Sequence, residues 1–349
     1  MADLASPAET GVAVHTLPAP YLLFLGDTTE AGFAKTAFGL RDWAGERCIG
    51  EHALPAATVS VGLPAMGPRE AAAKGARAMV IGVANPGGVI PPSWMPALIE
   101  ALEAGLDLVA GMHTRLADIP ALAEVAARGT ARLIDLRVPP ARLPVASGRK
   151  RTGRRLLTVG TDCALGKKYT ALAIARGLAE SGTSATFRAS GQTGIMLAGE
   201  GIAIDAVIAD FASGAAELLS PDTNSAHIDV IEGQGSLFHP SYAAVSLALL
   251  HGSQPDMFVV CHQPGRTRIL GHPQFPVPPI EAVIEQTVML GRLTNPEIRC
   301  VGISLNTSGM EAGAAEREIA ETEARLGMPT ADPIRGGDAF RRLLASCHS

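Results

Sequence analysis

The apolar residues of this chain form short runs that alternate with segments of helical periodicity along almost the whole sequence. In the first half, four apolar runs predict buried strands, at 21–28, 78–84, 106–113 and 131–138. Helical patterns lie between them at 94–105 and 118–129, and each ends at a glycine. Continuous apolar strands separated by helices are typical of a parallel sheet covered on both faces.

The second half of the chain repeats the pattern. Five further strands are predicted at 156–160, 184–190, 228–233, 256–262 and 299–306. Five helices are predicted at 167–181, 241–251, 279–292, 311–326 and 338–347. Between the halves, residues 137–155 are rich in Pro, Gly and Arg and show no periodicity, which predicts a connection between domains with its basic residues facing solvent.

These patterns predict an α/β protein with two tandem domains. The predicted boundaries are a leader at 1–19, a first domain at 20–140, a linker at 141–154 and a second domain at 155–349. With 349 residues, 47% hydrophobic residues and a mean hydropathy of +0.22, the chain has enough apolar sequence for both cores. The composition excludes an intrinsically disordered protein.

Charge and cysteine content narrow the functional class. A net charge of −5 does not indicate a nucleic-acid or anionic-membrane partner, and no aromatic residues interleave with the basic run at 137–155. No apolar run approaches the roughly 20 residues of a membrane span, and residues 1–20 lack the pattern of a signal peptide. Five scattered cysteines form no CxxC pair, so neither a disulfide framework nor a zinc site is expected. A cytoplasmic location is the resulting prediction.

The segment GTDCALGKK at 160–168 has the context of a phosphate-binding loop. It follows a predicted strand, and Lys167 opens the helix that comes next. Backbone N–H groups at such a helix start point toward a bound anion, and the lysine reaches the same phosphates. The residues expected to hold these phosphates are Gly160, Thr161, Asp162, Cys163, Ala164, Leu165, Gly166, Lys167, Lys168 and Tyr169.

Two features separate this loop from that of an ordinary ATPase. One extra residue lies between Gly160 and Gly166, and Lys168 stands where a Ser or Thr hydroxyl normally coordinates Mg²⁺. Thr170 cannot simply replace that hydroxyl, because it lies about 200° further around the helix. A second ammonium group would neutralise a diphosphate directly. The loop therefore suits a metal-free diphosphate, such as that of coenzyme A, at least as well as Mg-ATP.

Two carboxylates are candidates for proton transfer. Glu232 follows an apolar strand at the position of the second acidic motif of P-loop proteins, and Asp210 ends another apolar stretch. Either could act as a general base. Asp210 fits the N-cap of a helix equally well, and Glu232 could instead pair with Lys167 or Lys168.

Further polar residues follow predicted strands, and ligands bind at the carboxyl ends of parallel strands. The residues that could bind a substrate are Arg188, Ser190, Gln192, Thr193, His262 and Arg266. Arginine suits a carboxylate because its planar fork matches two oxygens. Arg266, Arg268 and His262 could also receive the 3′-phosphate of coenzyme A. Asn306 lies where many P-loop proteins recognise adenine.

Two resemblances follow from these motifs. The elements GTD and GK of the loop resemble the loop of dethiobiotin synthetase, an ATP-dependent enzyme. A wider set is similar to a family with a Rossmann-like N-terminal domain and a P-loop C-terminal domain, some of whose members are assigned as D-glutamate N-acetyltransferases. The similarity runs from about residue 20 to 347, through GTDCALGKKYTA, RASGQTG, EGQGSLFHP, HQPGR, VIGVANPGG and GLDLVAGMH.

The second resemblance implies acetyl-CoA as co-substrate and no metal, with the loop holding the coenzyme A diphosphate. Asp210 or Glu232 would take the amine proton, and backbone N–H groups or Lys168 would stabilise the oxyanion. A pathway partner resembling a dipeptide epimerase is implied, and the Ala-rich composition predicts a homo-oligomer. Two other classes stay open: an ATP-dependent ligase or kinase, and a non-catalytic nucleotide-binding protein.

Overall fold

The protein is described by a computed structural model covering Ala13, Val14 and residues 17–348, with Pro86 described by its backbone only. Most of the leader predicted at 1–19 therefore lies outside the described residues. The chain forms two compact units. The N-terminal unit contains Ala13–Pro139 and Gln192–Ala206, and the C-terminal unit contains Pro140–Gly191 and the residues from Val207 onward.

Strands and helices alternate through both units. The elements before residue 140 are β1 (Ala13–Val14), β2 (Tyr21–Gly26), α1 (Lys35–Ala44), β3 (Cys48–Ala53), α2 (Pro68–Ala73), β4 (Ala78–Ile81), α3 (Met95–Glu103), β5 (Asp107–Ala110), α4 (Pro120–Arg128) and β6 (Leu133–Asp135). The next are β7 (Arg154–Gly160), α5 (Lys167–Glu180), β8 (Ala185–Arg188), α6 (Gln192–Ala198), β9 (Glu200–Gly201), α7 (Ala209–Leu219) and β10 (Ile228–Ile231). The last are α8 (Ala243–Ser253), β11 (Met257–His262), β12 (Arg268–Ile269), β13 (His272–Pro276), α9 (Ile280–Gly291), β14 (Arg299–Leu305), α10 (Ala312–Leu326), β15 (Thr330–Ala331) and α11 (Gly337–Ser346).

The N-terminal unit is built on a parallel five-stranded sheet in the order β3-β2-β4-β5-β6. The strands β2, β4 and β5 are buried along their whole length, as their continuous apolar sequences require. Trp94 packs against the end of β2, where Gly26 has φ +55° and an added Cβ would lie 2.4 Å from the indole ring. Only glycine fits this contact.

The C-terminal unit has a six-stranded sheet in the order β15-β14-β11-β7-β10-β8, and every pair in it is parallel. Apolar side chains of β7, β10 and β11 pack against α5, with Leu156, Ile174, Val230 and Val259 fully buried. The strand β7 is central. Its carboxyl end at Gly160 therefore lies between those of β10 and β11, where a parallel sheet places its ligand.

The predicted α/β class with parallel sheets is confirmed, and all nine predicted strands are present within a few residues of their expected ends. The pattern missed six strands, which are β3, β15 and the antiparallel pairs β1–β9 and β12–β13. It also missed α1, α2, α6 and α7. No helix in the described part of the chain combines the length and apolar character needed to cross a bilayer.

The segment Gln192–Ala206 belongs to the N-terminal unit, although it lies inside the range predicted for the second domain. Two contacts explain this. The strand β9 pairs with β1, and Thr193 Oγ1 lies 2.9 Å from Thr36 Oγ1 on α1. The chain therefore returns to the N-terminal unit between β8 and α7.

The expectation that the basic residues of 137–155 face solvent is wrong for two of them. Arg151 and Arg155 are 6% and 1% exposed. Arg151 donates to the carbonyl oxygens of Gly252 and Ser253, and Arg155 donates to the hydroxyl of Ser220 and to surrounding carbonyls. These acceptors offset part of the loss of water, so the arginines anchor the connection to the C-terminal ends of α7 and α8.

Candidate functional site

The segment between β7 and α5 has the backbone of an anion-binding loop. The strand ends at Gly160 and the helix begins at Lys167. Gly166 caps the helix with φ +103° and ψ 14°, a left-handed conformation that favours glycine. The crest of the loop is formed by residues 162–164. Within it, Ala164 also has a positive φ of 52°, which is costly for a residue with a Cβ.

A row of amide groups in the loop has no hydrogen-bond partner among the described residues. In the described part of the chain, no acceptor is hydrogen-bonded to the N–H groups of Ala164, Leu165, Gly166 or Lys167. Two N–H groups earlier in the loop are satisfied, since Thr161 donates to the Cys261 carbonyl and Cys163 donates to Asp162 Oδ1. Consecutive unpaired N–H groups at a helix start form a cradle for an anion. The loop therefore has the donors that phosphate oxygens require.

The two lysines differ in their surroundings. Lys167 is 7% exposed, and its Nζ donates to the Asp162 carbonyl oxygen at 2.7 Å. Burial lowers the pKa of Lys167, with Cys163 and other neighbouring groups acting in the opposite direction. The Lys168 ammonium is half-buried and lies 5.2 Å from the centre of the Tyr169 ring. Both lysines are at the start of α5, as a phosphate site requires.

Thr170 does not supply the hydroxyl that Lys168 replaces. Its Oγ1 lies 2.8 Å from Ser304 Oγ on β14, and Cys261 Sγ lies 3.5 Å from the same oxygen. The side chain is buried in the contact between α5 and the sheet. This confirms the expectation from helix geometry.

The crest of the loop is held by residues that follow β11. Asp162 is fully buried, and its carboxylate accepts hydrogen bonds from the N–H groups of Cys163 and Leu270, at 2.6 and 2.9 Å. Arg266 Nη1 donates to Asp162 Oδ2 at 3.1 Å and to the Cys163 carbonyl at 2.7 Å. Its Nη2 donates to the Ala164 carbonyl at 3.5 Å. Arg266, predicted to bind substrate, thus lies against the loop itself.

Glu232 joins the ends of two neighbouring strands. It is 4% exposed, and its Oε2 accepts hydrogen bonds at 3.1 Å from the N–H groups of Ser190 and Gly191. Ser190 Oγ donates to the Glu232 carbonyl at 2.6 Å. Glu232 and Ser190, predicted for catalysis and substrate binding, are therefore in direct contact at the carboxyl ends of β10 and β8.

Two other candidates have different surroundings. Arg188 Nε donates to the buried carboxylate of Asp229 at 2.7 Å, so an internal carboxylate already pairs with the guanidinium predicted to hold a substrate. Asp210 is exposed in the first turn of α7, where Ile208 rather than Asp210 is the N-cap. The substrate-binding role of Arg188 and the base role of Asp210 stay predictions.

Gln192 and Thr193 belong to the N-terminal unit. Both are buried, and Gln192 Nε2 donates to Thr36 Oγ1 at 3.3 Å. Thr193 Oγ1 lies 2.9 Å from the same Thr36 oxygen. These hydroxyl and amide groups attach α6 to α1, and their predicted role in substrate binding stays a prediction.

His262 and Asn306 lie on the other side of the loop. His262 Nδ1 is 3.0 Å from Thr161 Oγ1, and the Asn306 N–H donates to the His262 carbonyl at 2.8 Å. Burial lowers the pKa of His262, and the positive charges of Arg325 and Arg266 lower it further. His262 therefore contacts the loop, and Asn306 is bonded to His262. Their predicted roles, in binding substrate or the 3′-phosphate and in recognising adenine, stay predictions.

Asp162, Cys163 and His239 form a compact group whose donor atoms all lie within 4.8 Å of one another. His239 Nε2 lies 3.9 Å from Asp162 Oδ1, while Nδ1 accepts the Ser241 N–H at 3.1 Å. An Nδ1 that accepts leaves the proton of a neutral ring on Nε2. A metal bound at Nε2 would need the opposite tautomer, so the donor set does not favour a cation. The absence of a metal cofactor stays a prediction.

Sequence reasoning missed two residues that hold the site in place by hydrogen bonds, Thr158 and Leu270. Thr158 Oγ1 accepts the Gly233 N–H at 2.9 Å, which fixes β10 against β7 next to the loop. Leu270 directly follows β12, and its N–H donates a hydrogen bond to the Asp162 carboxylate. A threonine inside an apolar strand was a weak signal for the first contact. No sequence pattern marks the second, since a backbone N–H carries no residue type.

Comparison with known proteins supports the two-unit description. The family model described as a domain of unknown function, DUF1611_C P-loop domain, matches residues 144–343. A second model, the DUF1611_N Rossmann-like domain, matches residues 46–139. A crystal structure of a DUF1611 family protein from Anabaena variabilis aligns with a TM-score of 0.85 and 35% identity, over 95% of this chain and 100% of that one.

Two curated relatives are similar over most of their length. A D-glutamate N-acetyltransferase of Tritonibacter scottomollicae is 47% identical over 318 residues, which is 91% of this chain and 96% of the relative. A protein of the same name from a Pseudoalteromonas species is 46% identical over the same shares. The chain therefore belongs to the D-glutamate N-acetyltransferase family, with the Rossmann-like and P-loop domains of DUF1611, and is an acyltransferase.

Proposed function

We propose that this enzyme transfers the acetyl group of acetyl-CoA to the amino group of D-glutamate, and that its phosphate loop holds the coenzyme A diphosphate. The names of the two curated relatives support the acceptor and the transferred group. The observation that carries the loop assignment is the row of four unpaired N–H groups beside two lysines.

The loop suits a diphosphate that comes without a metal. Lys168 replaces the hydroxyl that coordinates Mg²⁺ in ordinary P-loop enzymes, and Thr170 is held by Ser304. Lys167 and Lys168 would instead place two positive charges on the diphosphate. The cost of burying Lys167 is offset when an anion binds beside it.

The chemistry requires a neutral amine, because only its lone pair can attack the thioester carbonyl. In the reaction a carbon–nitrogen bond forms, the carbon–sulfur bond breaks, and the thiolate of coenzyme A leaves. A carboxylate of the enzyme, Glu232 or Asp210, would accept the amine proton, directly or through water. Backbone N–H groups or Lys168 would stabilise the tetrahedral oxyanion, typically by about 3–4 kcal/mol per donor.

The two candidate bases can be separated by kinetics. Glu232→Gln and Asp210→Asn keep the shape of each side chain but cannot accept the proton. The variant that loses the base should show a lower kcat, by about 10²-fold or more, with little change in the KM for acetyl-CoA. If both variants kept the full kcat, neither carboxylate would be the base.

The loop assignment is tested by exchanging Lys168. Lys168→Thr replaces the ammonium with the usual magnesium-binding hydroxyl. Lys168→Met removes the charge without adding a hydroxyl. We expect both variants to bind coenzyme A at least about tenfold more weakly, because a charge-assisted contact to phosphate is lost. Wild-type binding should not change when Mg²⁺ is added or chelated. Tight Mg-ATP binding by the wild type, with none of coenzyme A, would contradict the proposal.

A further inference from the structure

We infer that Arg266 is a positioning residue, which holds the crest of the phosphate loop so that its amide groups face the anion. This inference rests on the proposed role of the loop. It differs from the substrate-binding role that the sequence suggested for this arginine. The side chain donates to Asp162 Oδ2 and to the carbonyl oxygens of Cys163 and Ala164, all within the loop.

These carbonyl contacts fix the direction of two amide groups. In a planar trans peptide the C=O and the N–H point in opposite directions. Because Arg266 holds the carbonyls of Cys163 and Ala164, the N–H groups of Ala164 and Leu165 must point away from the guanidinium. Those two N–H groups belong to the unpaired row in the loop. Arg266 therefore orients half of the row.

The crest needs this support because its backbone is strained. Ala164 adopts φ +52°, which an alanine rarely occupies without surrounding contacts. Asp162 is buried as well, so its charge needs a partner. Arg266 meets both needs, since one guanidinium pairs with the carboxylate and holds the two carbonyls beyond it. Gln263 Oε1 accepts from Nη2 and orients the guanidinium in turn.

The geometry also requires an arginine at this position. The guanidinium has a fixed planar fork with five donors, while a lysine presents one compact ammonium group. A lysine could pair with Asp162 or reach a carbonyl, but it could not hold the three oxygens in a fixed arrangement. A lysine at this position, which restores only the charge, should therefore recover only part of the affinity of the loop for its anion.

The test compares Arg266→Gln and Arg266→Lys with Arg292→Gln, an exposed arginine directly after the C-terminal end of α9. Calorimetry would measure the binding of coenzyme A and, separately, of inorganic pyrophosphate. We expect Arg266→Gln to weaken both by at least about tenfold, Arg266→Lys to recover part of the loss, and Arg292→Gln to bind like the wild type. The kcat at saturating acetyl-CoA and the KM for D-glutamate should stay close to wild type.

A double variant, Asp162→Asn with Arg266→Gln, covers the case in which an unpaired Asp162 prevents folding. It removes both charges, so it should fold and still bind pyrophosphate weakly, because the carbonyls are no longer held. Wild-type pyrophosphate affinity in Arg266→Gln would overturn the inference, and so would an increase confined to the KM for D-glutamate. If the wild type bound pyrophosphate but not coenzyme A, the proposed function would fail alone. Binding of neither would overturn both.

Discussion

At the scale of single residues, the site depends on positions where the backbone comes unusually close to its neighbours. Gly233 follows β10, and a Cβ added there would lie 1.6 Å from the Thr158 carbonyl oxygen. Its N–H donates to Thr158 Oγ1, so β7 and β10 touch directly beside the loop. The sequence identified this glycine as part of a motif. The contact that requires it depends on strand pairing, which the sequence does not specify.

The first prediction concerns Gly233→Ala. The added methyl group would overlap the Thr158 carbonyl and separate the two strands, so we expect a loss of about 2 kcal/mol or more in the free energy of unfolding. Gly313→Ala in α10 is the matched control. The nearest atom there is 3.7 Å from the new Cβ, and alanine should be neutral or stabilise the helix. Urea unfolding of the three proteins measures both effects, and equal stability of the two variants would contradict the contact.

The second prediction concerns the proton on Lys167. Burial lowers the pKa of this lysine in the free protein, and a bound diphosphate would favour its charged form. The affinity for coenzyme A should therefore be constant at low pH and should fall as pH rises above the Lys167 pKa of the free protein. Titrations between pH 7 and 10, in buffers of different ionisation enthalpy, should show proton uptake on binding. A pH-independent affinity without proton uptake would exclude this coupling.

At the scale of elements, the sequence predicted the central strands of both large sheets and missed two of their edge strands, β3 and β15. The strands β7, β10 and β11 are mostly buried and mostly apolar, so their pattern was sufficient. Edge strands such as β3 and β15 bury fewer residues, and their pattern is weaker. The P-loop between β7 and α5 was predicted because its glycines and lysines form a recognisable motif between a strand and a helix. The packing of α6 in the N-terminal unit could not be predicted, because it depends on pairing between distant segments.

The third prediction concerns the contact between α5 and β14. Thr170→Val removes the hydroxyl that meets Ser304, and it should lower the free energy of unfolding by about 1 kcal/mol. The KM for acetyl-CoA should not change, because this hydroxyl does not face the loop. Thr170→Ser keeps the hydroxyl and serves as the control. Loss of coenzyme A binding in Thr170→Val, but not in Thr170→Ser, would show that Thr170 serves the site.

At the scale of the whole molecule, both units contain histidines that the fold keeps neutral. Burial lowers the pKa of His113 in the N-terminal unit and of His239 and His262 in the C-terminal unit. In the unfolded chain these histidines take up a proton near their ordinary pKa of about 6.5. In the folded protein they take it up only at lower pH, because their pKa is lowered. The stability that neutral histidines provide is therefore present above pH 6.5 and is lost as pH falls below it.

The fourth prediction follows from the direction of these pKa shifts. The free energy of unfolding should fall between pH 7.5 and pH 5.5, since the unfolded state takes up more protons in this window. His239→Phe keeps an aromatic ring beside Tyr242 but cannot titrate, so its decrease should be smaller. The exposed His348→Gln should behave like the wild type. An identical decrease in all three proteins would assign the pH dependence to other groups.

The most direct test of the central claim is the release of free coenzyme A thiol from acetyl-CoA, with D-glutamate as acceptor and neither metal nor ATP added. The account predicts thiol release that depends on D-glutamate, matches the N-acetyl-D-glutamate formed and persists with a metal chelator. If no thiol were released, and ADP formed instead when Mg-ATP and a carboxylate substrate were supplied, the loop would serve ATP and the proposed acetyl transfer would be wrong.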